Sequence, residues 1–120
     1  MNIIDFSCNT GDVFEAVPRD VQISCGMKNI AHFSCIVRGI ATFPNWVINS
    51  TRYSSYFLPV NHSYNGTILT VTSASKYNNS YYQCRTALNN GLLRIRCPTY
   101  YSCNATLTVD ECGKLLRCIF

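Results

Sequence analysis

The residues of this chain best suited to chemistry are its eight cysteines, two histidines and six carboxylates. A thiol acts as nucleophile or metal ligand only as the thiolate, beside a base or in a ligand cluster. Here the cysteines stand at 8, 25, 35, 84, 97, 103, 112 and 118, and none forms a Cys-x-x-Cys pair. An even count in this dispersed pattern points to disulfides, and so to an oxidising compartment. A tetrahedral metal site would need His32 or His62 joined by thiolates that the same compartment oxidises, so no metal is expected. Hydrolysis needs an activated nucleophile or neighbouring acids. Asp5, Asp12, Glu15, Asp20, Asp110 and Glu111 gather near the two ends, and neither histidine stands in a recognisable serine motif. No glycine-rich phosphate loop occurs. The expectation is a chain that is not an enzyme and carries no cofactor.

Asparagine chemistry agrees with the compartment. Asn49, Asn61, Asn65, Asn78 and Asn104 each open an Asn-x-Ser/Thr triplet, the acceptor for N-glycosylation. Met1 is followed by Asn2-Ile3-Ile4-Asp5, without the basic start and apolar stretch of a signal peptide. An ectodomain fragment restarted with methionine, extracellular or at the cell surface, accounts for both facts. No run approaches the roughly 18 apolar residues of a membrane span, so no membrane insertion by this fragment is expected. The net charge of +4 is scattered. It attracts acidic partners weakly and falls short of a nucleic-acid footprint. Arg94 and Arg96 with Tyr100 and Tyr101 make a small basic-aromatic cluster, read as an exposed hairpin rung rather than a nucleic-acid site.

The elements that must position these residues are strands. At 120 residues, 48% apolar and 13% charged, the chain is one domain with a real core. Val13–Val17 reads as an edge strand stopped by Pro18, and Val21–Ser24 as a second strand. From Ile30 the alternation is clear, with Ala31, Phe33, Cys35 and Val37 on one face. Trp46 and Ile48 share a face in 45–49, and 51–64 reads as short irregular strands. Asn65-Gly66 turns into 67–72, where Leu69 and Val71 point inward, and 73–80 is a polar loop. Strand 80–87 puts Tyr82, Cys84 and Thr86 inward and Tyr81, Gln83, Arg85 and Ala87 outward. The stretch 92–101 is a long loop or an extra rung, and 105–109 is the last strand. Cys35, Trp46 and Cys84, with Tyr82 two residues before the second cysteine, suggest an all-β sandwich of two sheets with an indole in its core.

With the strands placed, the chain resembles an immunoglobulin-superfamily domain of the variable or intermediate kind over roughly residues 13–110. The carriers are Gly26, Phe33-x-Cys35, Trp46, Leu69-x-Val71, Asn78-x-Ser80-x-Tyr82-x-Cys84 and Ala105-x-Leu107-x-Val109. Asn78 stands where the family usually has an acid. The stretches Asn45–Thr51, Leu58-Pro59 and Asn65–Val71 are similar to immunoglobulin-like ectodomains of early-branching animals such as sponges and cnidarians. No Phe/Trp-Gly-x-Gly precedes the last strand, which sets the chain apart from antibody and T-cell-receptor variable domains. The resemblance implies an immunoglobulin-like two-sheet antiparallel sandwich with Greek-key connections, in a single domain over 1–120. Its core is about 13–110, with 111–120 as a disulfide-tethered tail.

The same resemblance implies a Cys35–Cys84 bridge between the sheets, with Trp46 and Tyr82 as core. It also makes the second and last strands parallel neighbours, which would bring Cys25 to Cys112. Cys97 and Cys103 flank Pro98–Ser102 and would pin the loop there, leaving Cys8 for Cys118. A rival scheme joins Cys8 to Cys97 or Cys103. For function the resemblance implies binding of a protein partner: an adhesion module or receptor ectodomain, including self/non-self recognition. Homophilic pairing into a dimer is one form of it. The expected contact surface is Val47, Tyr81, Gln83 and Arg85 on the sheet, with Arg94, Arg96, Tyr100 and Tyr101 from the loop. The alternative is a freely secreted disulfide-rich effector, such as an inhibitor or toxin-like protein, or a matrix component.

Overall fold

Short stretches of alternating apolar and polar side chains select strands with one buried face, and eleven such strands make up the described structure. The computed structural model describes residues 13–38, 44–87 and 99–110. In order they are β1 (Phe14–Ala16), β2 (Val21–Ile23), β3 (Ile30–Ser34), β4 (Ile36–Val37), β5 (Asn45–Ile48) and β6 (Thr51–Tyr53). Then follow β7 (His62–Tyr64), β8 (Ile68–Thr72), a 3-10 turn (Ala74–Tyr77), β9 (Ser80–Ala87), β10 (Thr99–Tyr101) and β11 (Ala105–Val109).

One sheet runs β2-β11-β9-β5-β6, with β10 beside β9, and the other runs β3-β8-β7. A small ladder pairs β1 with β4. Pro18 separates β1 from β2, so the first edge is shared between two ladders, as a residue without an N–H dictates. The chain changes sheet from β2 to β3, from β3 by way of β4 to β5, from β6 to β7 and from β8 to β9. That exchange is the Greek-key wiring of an antiparallel sandwich. The parallel exception is β2 with β11, where Leu107 faces Val21 and Val109 faces Ile23.

The core lies between the two sheets. Phe33 stacks on Tyr82 with centroids 4.4 Å apart, and Trp46 meets Tyr64 edge-on at 5.5 Å. Leu69, Val71 and Leu107 complete it, all fully buried. Each such side chain stabilises the fold by about 1.5–3 kcal/mol. The Cys35–Cys84 disulfide joins the sheets across a sequence separation of 49, worth about 4 kcal/mol in the chain-entropy model. Trp46 is the cross-strand partner of Cys84, which sets the indole beside the bridge. Its Nε1–H has no acceptor among the described residues.

Cys25 and Cys103 are disulfide-bonded as well. The partners expected for them, Cys112 and Cys97, lie outside the described residues, as do Cys8 and Cys118. The polar loop expected at 73–80 contains the 3-10 turn. Asn29 holds its start, its Oδ1 accepting from Ser75 N at 2.8 Å and its backbone carbonyl from Ala74 N at 3.1 Å.

Candidate functional site

β9 runs through the middle of its sheet, so its outward residues are the natural centre of a contact surface. The pleat sends Tyr82, Cys84 and Thr86 to the core and leaves Tyr81, Gln83, Arg85 and Ala87 outward. Cross-strand register then decides their neighbours. Val47 lies opposite Gln83 and Asn45 opposite Arg85 on β5, Thr106 opposite Tyr81 on β11, and Tyr101 opposite Arg85 on β10. Arg52 on β6 pairs with Val47. Four strands therefore bring Arg52, Val47, Gln83, Arg85, Tyr101 and Tyr81 onto one face.

The centre of this face is held by side-chain bonds. Arg85 Nη1 donates to Asn45 Oδ1 and Arg85 Nε donates to the Tyr101 hydroxyl, both at 3.2 Å. The guanidinium carbon is 5.9 Å from the Tyr101 ring centroid, within cation–π range. Gln83 Nε2 donates to the Ser102 carbonyl at 2.8 Å. Tyr81 and Tyr101 stay 50% and 43% exposed beside these fixed groups. The bonds to Arg85 hold the Tyr101 ring in place before a partner arrives.

Ser102, which sequence reasoning passed over, and Asn49, expected only as a glycan acceptor, build this arrangement. Ser102 is buried in the break between β10 and β11. Its Oγ accepts from Cys84 N and its own N–H donates to Cys84 O, both at 2.9 Å. One residue thus takes the place of the missing ladder beside Cys84. Asn49, in the β5–β6 turn at φ 49°, accepts from Tyr81 N at 2.8 Å and donates through Nδ2 to Ser80 Oγ at 3.3 Å. Nothing in a local window marks a serine or an asparagine for such a task.

The expected contact surface needs two corrections. Val47 points outward but is only 9% exposed, because the long side chains of Arg52 and Gln83 flank it on both neighbouring strands. Tyr100 is paired with Thr86 on the opposite side of the pleat from Tyr101 and packs against the core. Arg94 and Arg96 lie outside the described residues.

Behind this face a polar contact joins the sheets. His62 Nδ1 lies 2.9 Å from the Val60 carbonyl, which can only accept, so this nitrogen carries the proton. Nε2 then accepts from the Tyr82 hydroxyl at 2.8 Å. Burial pushes the imidazole below its ordinary 6.5, against the opposing pull of bonds to Val60 and Pro59. It also pushes the Tyr82 phenol up, with a smaller contribution from Tyr77, and Tyr64 up to about 12. Both phenols stay neutral donors, and Tyr82 has no exposed surface for a substrate to reach. Among the described residues no three His, Cys, Asp or Glu side chains gather as a metal site, and no helix is long and apolar enough to cross a membrane.

Comparison with protein-family models and with curated protein sequences yields no match. Solved structures do match. The D1-D2 fragment of Rst aligns with a TM-score of 0.63 and 20% identity over 82% of this chain and 48% of that one. The Ig-like domain of human leucine-rich repeat-containing protein 4 gives 0.59 and 20%, over 88% and 93%. The complex of titin M10 with obscurin-like 1 gives 0.58 and 22%, over 82% and 92%. The fold is immunoglobulin-like. The chain spans about half the length of the Rst fragment, 48%.

On this immunoglobulin-like scaffold the five sequons take different places. Asn49, Asn65 and Asn104 are exposed, while Asn61 and Asn78 are half-buried. Asn78 accepts through Oδ1 from Val109 N at 2.8 Å and so ties the start of β9 to β11. A further surface was not foreseen. In the loop between β6 and β7, Tyr56 is 82% exposed, Phe57 80% and Val60 76%. Leu58 packs inward between them, Phe57 N donates to Ser54 O at 3.0 Å, and Tyr77 Oη donates to Val60 O at 2.7 Å.

Proposed function

We propose that this chain is an extracellular recognition module, an ectodomain portion of a cell-surface receptor or adhesion protein, and that the outer face of β9 contacts a protein partner. The observation that carries the reading is the preset Arg85–Tyr101–Asn45 group beside exposed Tyr81. Arg and Tyr dominate binding energy at protein interfaces where they are held in place before contact. The disulfides at Cys25 and Cys103, beyond the inter-sheet bridge, support an oxidising compartment. The titin M10–obscurin-like 1 complex supports protein binding by a sandwich of this kind.

The test is staining of cells from the source organism with a multimerised form of the full chain. Arg85→Ala and Tyr101→Ala are expected to lose most of the staining, and His32→Ala, on the other sheet, to keep it. Equal staining by all variants overturns the reading. The homophilic form predicts a dimer in sedimentation equilibrium at high micromolar concentration that Tyr81→Ala dissolves. A strict monomer there leaves only a heterophilic partner.

A further inference from the structure

N-glycosylation joins Asn Nδ2 to the anomeric carbon of an oligosaccharide. The donor is a lipid-diphosphate-linked oligosaccharide of the secretory pathway. The bond from the anomeric carbon to the diphosphate oxygen breaks, the lipid diphosphate leaves, and Nδ2 gives up one proton. The product keeps Oδ1 and a single N–H, and must direct a bulky polar chain into water. A site compatible with the folded chain therefore needs an exposed asparagine whose Nδ2 has no task in the fold.

We propose that Asn65 carries an N-linked glycan in the folded chain, that Asn104 is the other sequon open to one, and that Asn49, Asn61 and Asn78 stay unmodified. The proposal deepens the extracellular reading above and rests on it. At Asn65 the sequon is a closed turn between β7 and β8. Oδ1 accepts from Thr67 N at 2.9 Å, from Thr67 Oγ1 at 3.0 Å and from Ile68 N at 2.8 Å. All three bonds use the oxygen and survive modification of the nitrogen. They also fix the amide with Nδ2 on the remaining side, where it bonds to no described residue. Gly66, at φ 101°, supplies the left-handed position the turn needs. Asn104 is exposed between β10 and β11 and makes no side-chain hydrogen bond among the described residues.

The other three amides belong to the fold. Asn49 uses both ends, Nδ2 on Ser80 Oγ and Oδ1 on Tyr81 N. Asn61 is half-buried, gives Nδ2 to Thr72 Oγ1 at 3.1 Å, and lies within 3.4 Å of the Tyr77 hydroxyl. Asn78 is half-buried against β11, and the hydroxyl of its sequon, Ser80, is buried too. Asn49 abuts Tyr81, so a glycan there would cover the β9 face. Asn65 belongs to the β3-β8-β7 sheet, so its glycan leaves the β9 face open. The Asn65 glycan thus sits on the sheet away from the partner face, while Asn104 lies at the β10–β11 break of the partner sheet.

The experiment secretes the full chain from cultured animal cells behind an added signal peptide and maps each sequon by peptide N-glycosidase conversion of Asn to Asp. Asn65 is expected to convert in most copies, and Asn49, Asn61 and Asn78 at background. Asn65→Asp keeps the oxygen acceptor and removes Nδ2. It is expected to lower the intact mass by one glycan with no change in melting temperature. Thr51→Ala and Ser63→Ala, which break the Asn49 and Asn61 sequons without touching those asparagines, are expected to leave the attached glycan mass unchanged. A glycan on Asn49, Asn61 or Asn78 of the folded chain, or an unmodified Asn65, overturns the proposal. Arg85-dependent staining with the wrong sugar map overturns this inference alone. The expected map with Arg85-independent staining overturns the partner-face reading alone.

Discussion

The outer face of β9 and the loop at 54–61 are opposite ways of holding surface aromatics. On the face, side chains are bonded to one another: Arg85 to Asn45 and Tyr101, Gln83 to Ser102. In the loop the backbone is bonded and Leu58 packs against the core, while Tyr56 and Phe57 are 82% and 80% exposed. A face built from register is rigid in its side chains. A loop built from local turns is held first by its backbone bonds. Order on the face therefore depends on bonds between distant strands, and removing one of those bonds should disturb it without touching the loop.

The largest effect breaks both regions together. Cys35→Ala with Cys84→Ala removes the shared bridge and is expected to cost about 2–5 kcal/mol in denaturant unfolding. If the face keeps its amide protection without the bridge, the common scaffold is not what holds it. Ser102→Ala separates the regions. It leaves Cys84 N–H buried without its acceptor and is expected to cost about 1–3 kcal/mol, with faster hydrogen exchange along β9 and none added in the loop. Asn49→Ala is the milder version, about 1–2 kcal/mol, with exchange rising at Tyr81.

Acid works from the loop side, because His62 stands at its root. Burial lowers the folded imidazole below the 6.5 of the unfolded chain. Below that value the unfolded state takes up a proton that the folded state resists, so stability is complete above about pH 6.5 and falls as the pH drops. Thermal melts at neutral and mildly acidic pH are expected to show this loss, and His62→Gln to flatten it. An unchanged slope in that variant would locate the acid sensitivity elsewhere. The smallest effect is Phe57→Ser, expected within about 0.5 kcal/mol of the original chain because nothing packs on an 80% exposed ring.

Much of the architecture was legible because alternation is a local signal. Tyr82, Cys84 and Thr86 point inward as the period of two requires, and so do Leu69, Val71 and Trp46. The same rule placed Tyr81, Gln83 and Arg85 outward. It could not separate Tyr100 from Tyr101, because the phase of β10 is set by its pairing with β9 rather than by its own three residues. Nor could it foresee that Val47, outward by period, would be covered by two long neighbours. The aromatic loop escaped notice for a similar reason. Tyr56, Phe57 and Leu58 read as one apolar run, and only the turn geometry turns Leu58 in and the other two out.

Taken alone, the amino-acid sequence determined where strands occur, which faces of them are apolar, and that Cys35 and Cys84 can bridge the sheets. The first two are properties of neighbours in sequence, fixed by pleat geometry, proline and the transfer of apolar groups from water. The tertiary structure decided which distant residues meet. Asn49 reaches Tyr81, Asn78 reaches Val109 and Arg85 reaches Asn45 across separations of 32, 31 and 40 residues. No local pattern specifies such meetings, because they follow from strand register and the folding of two sheets on one core. Those meetings build the partner face and leave Asn65 and Asn104 free for sugar.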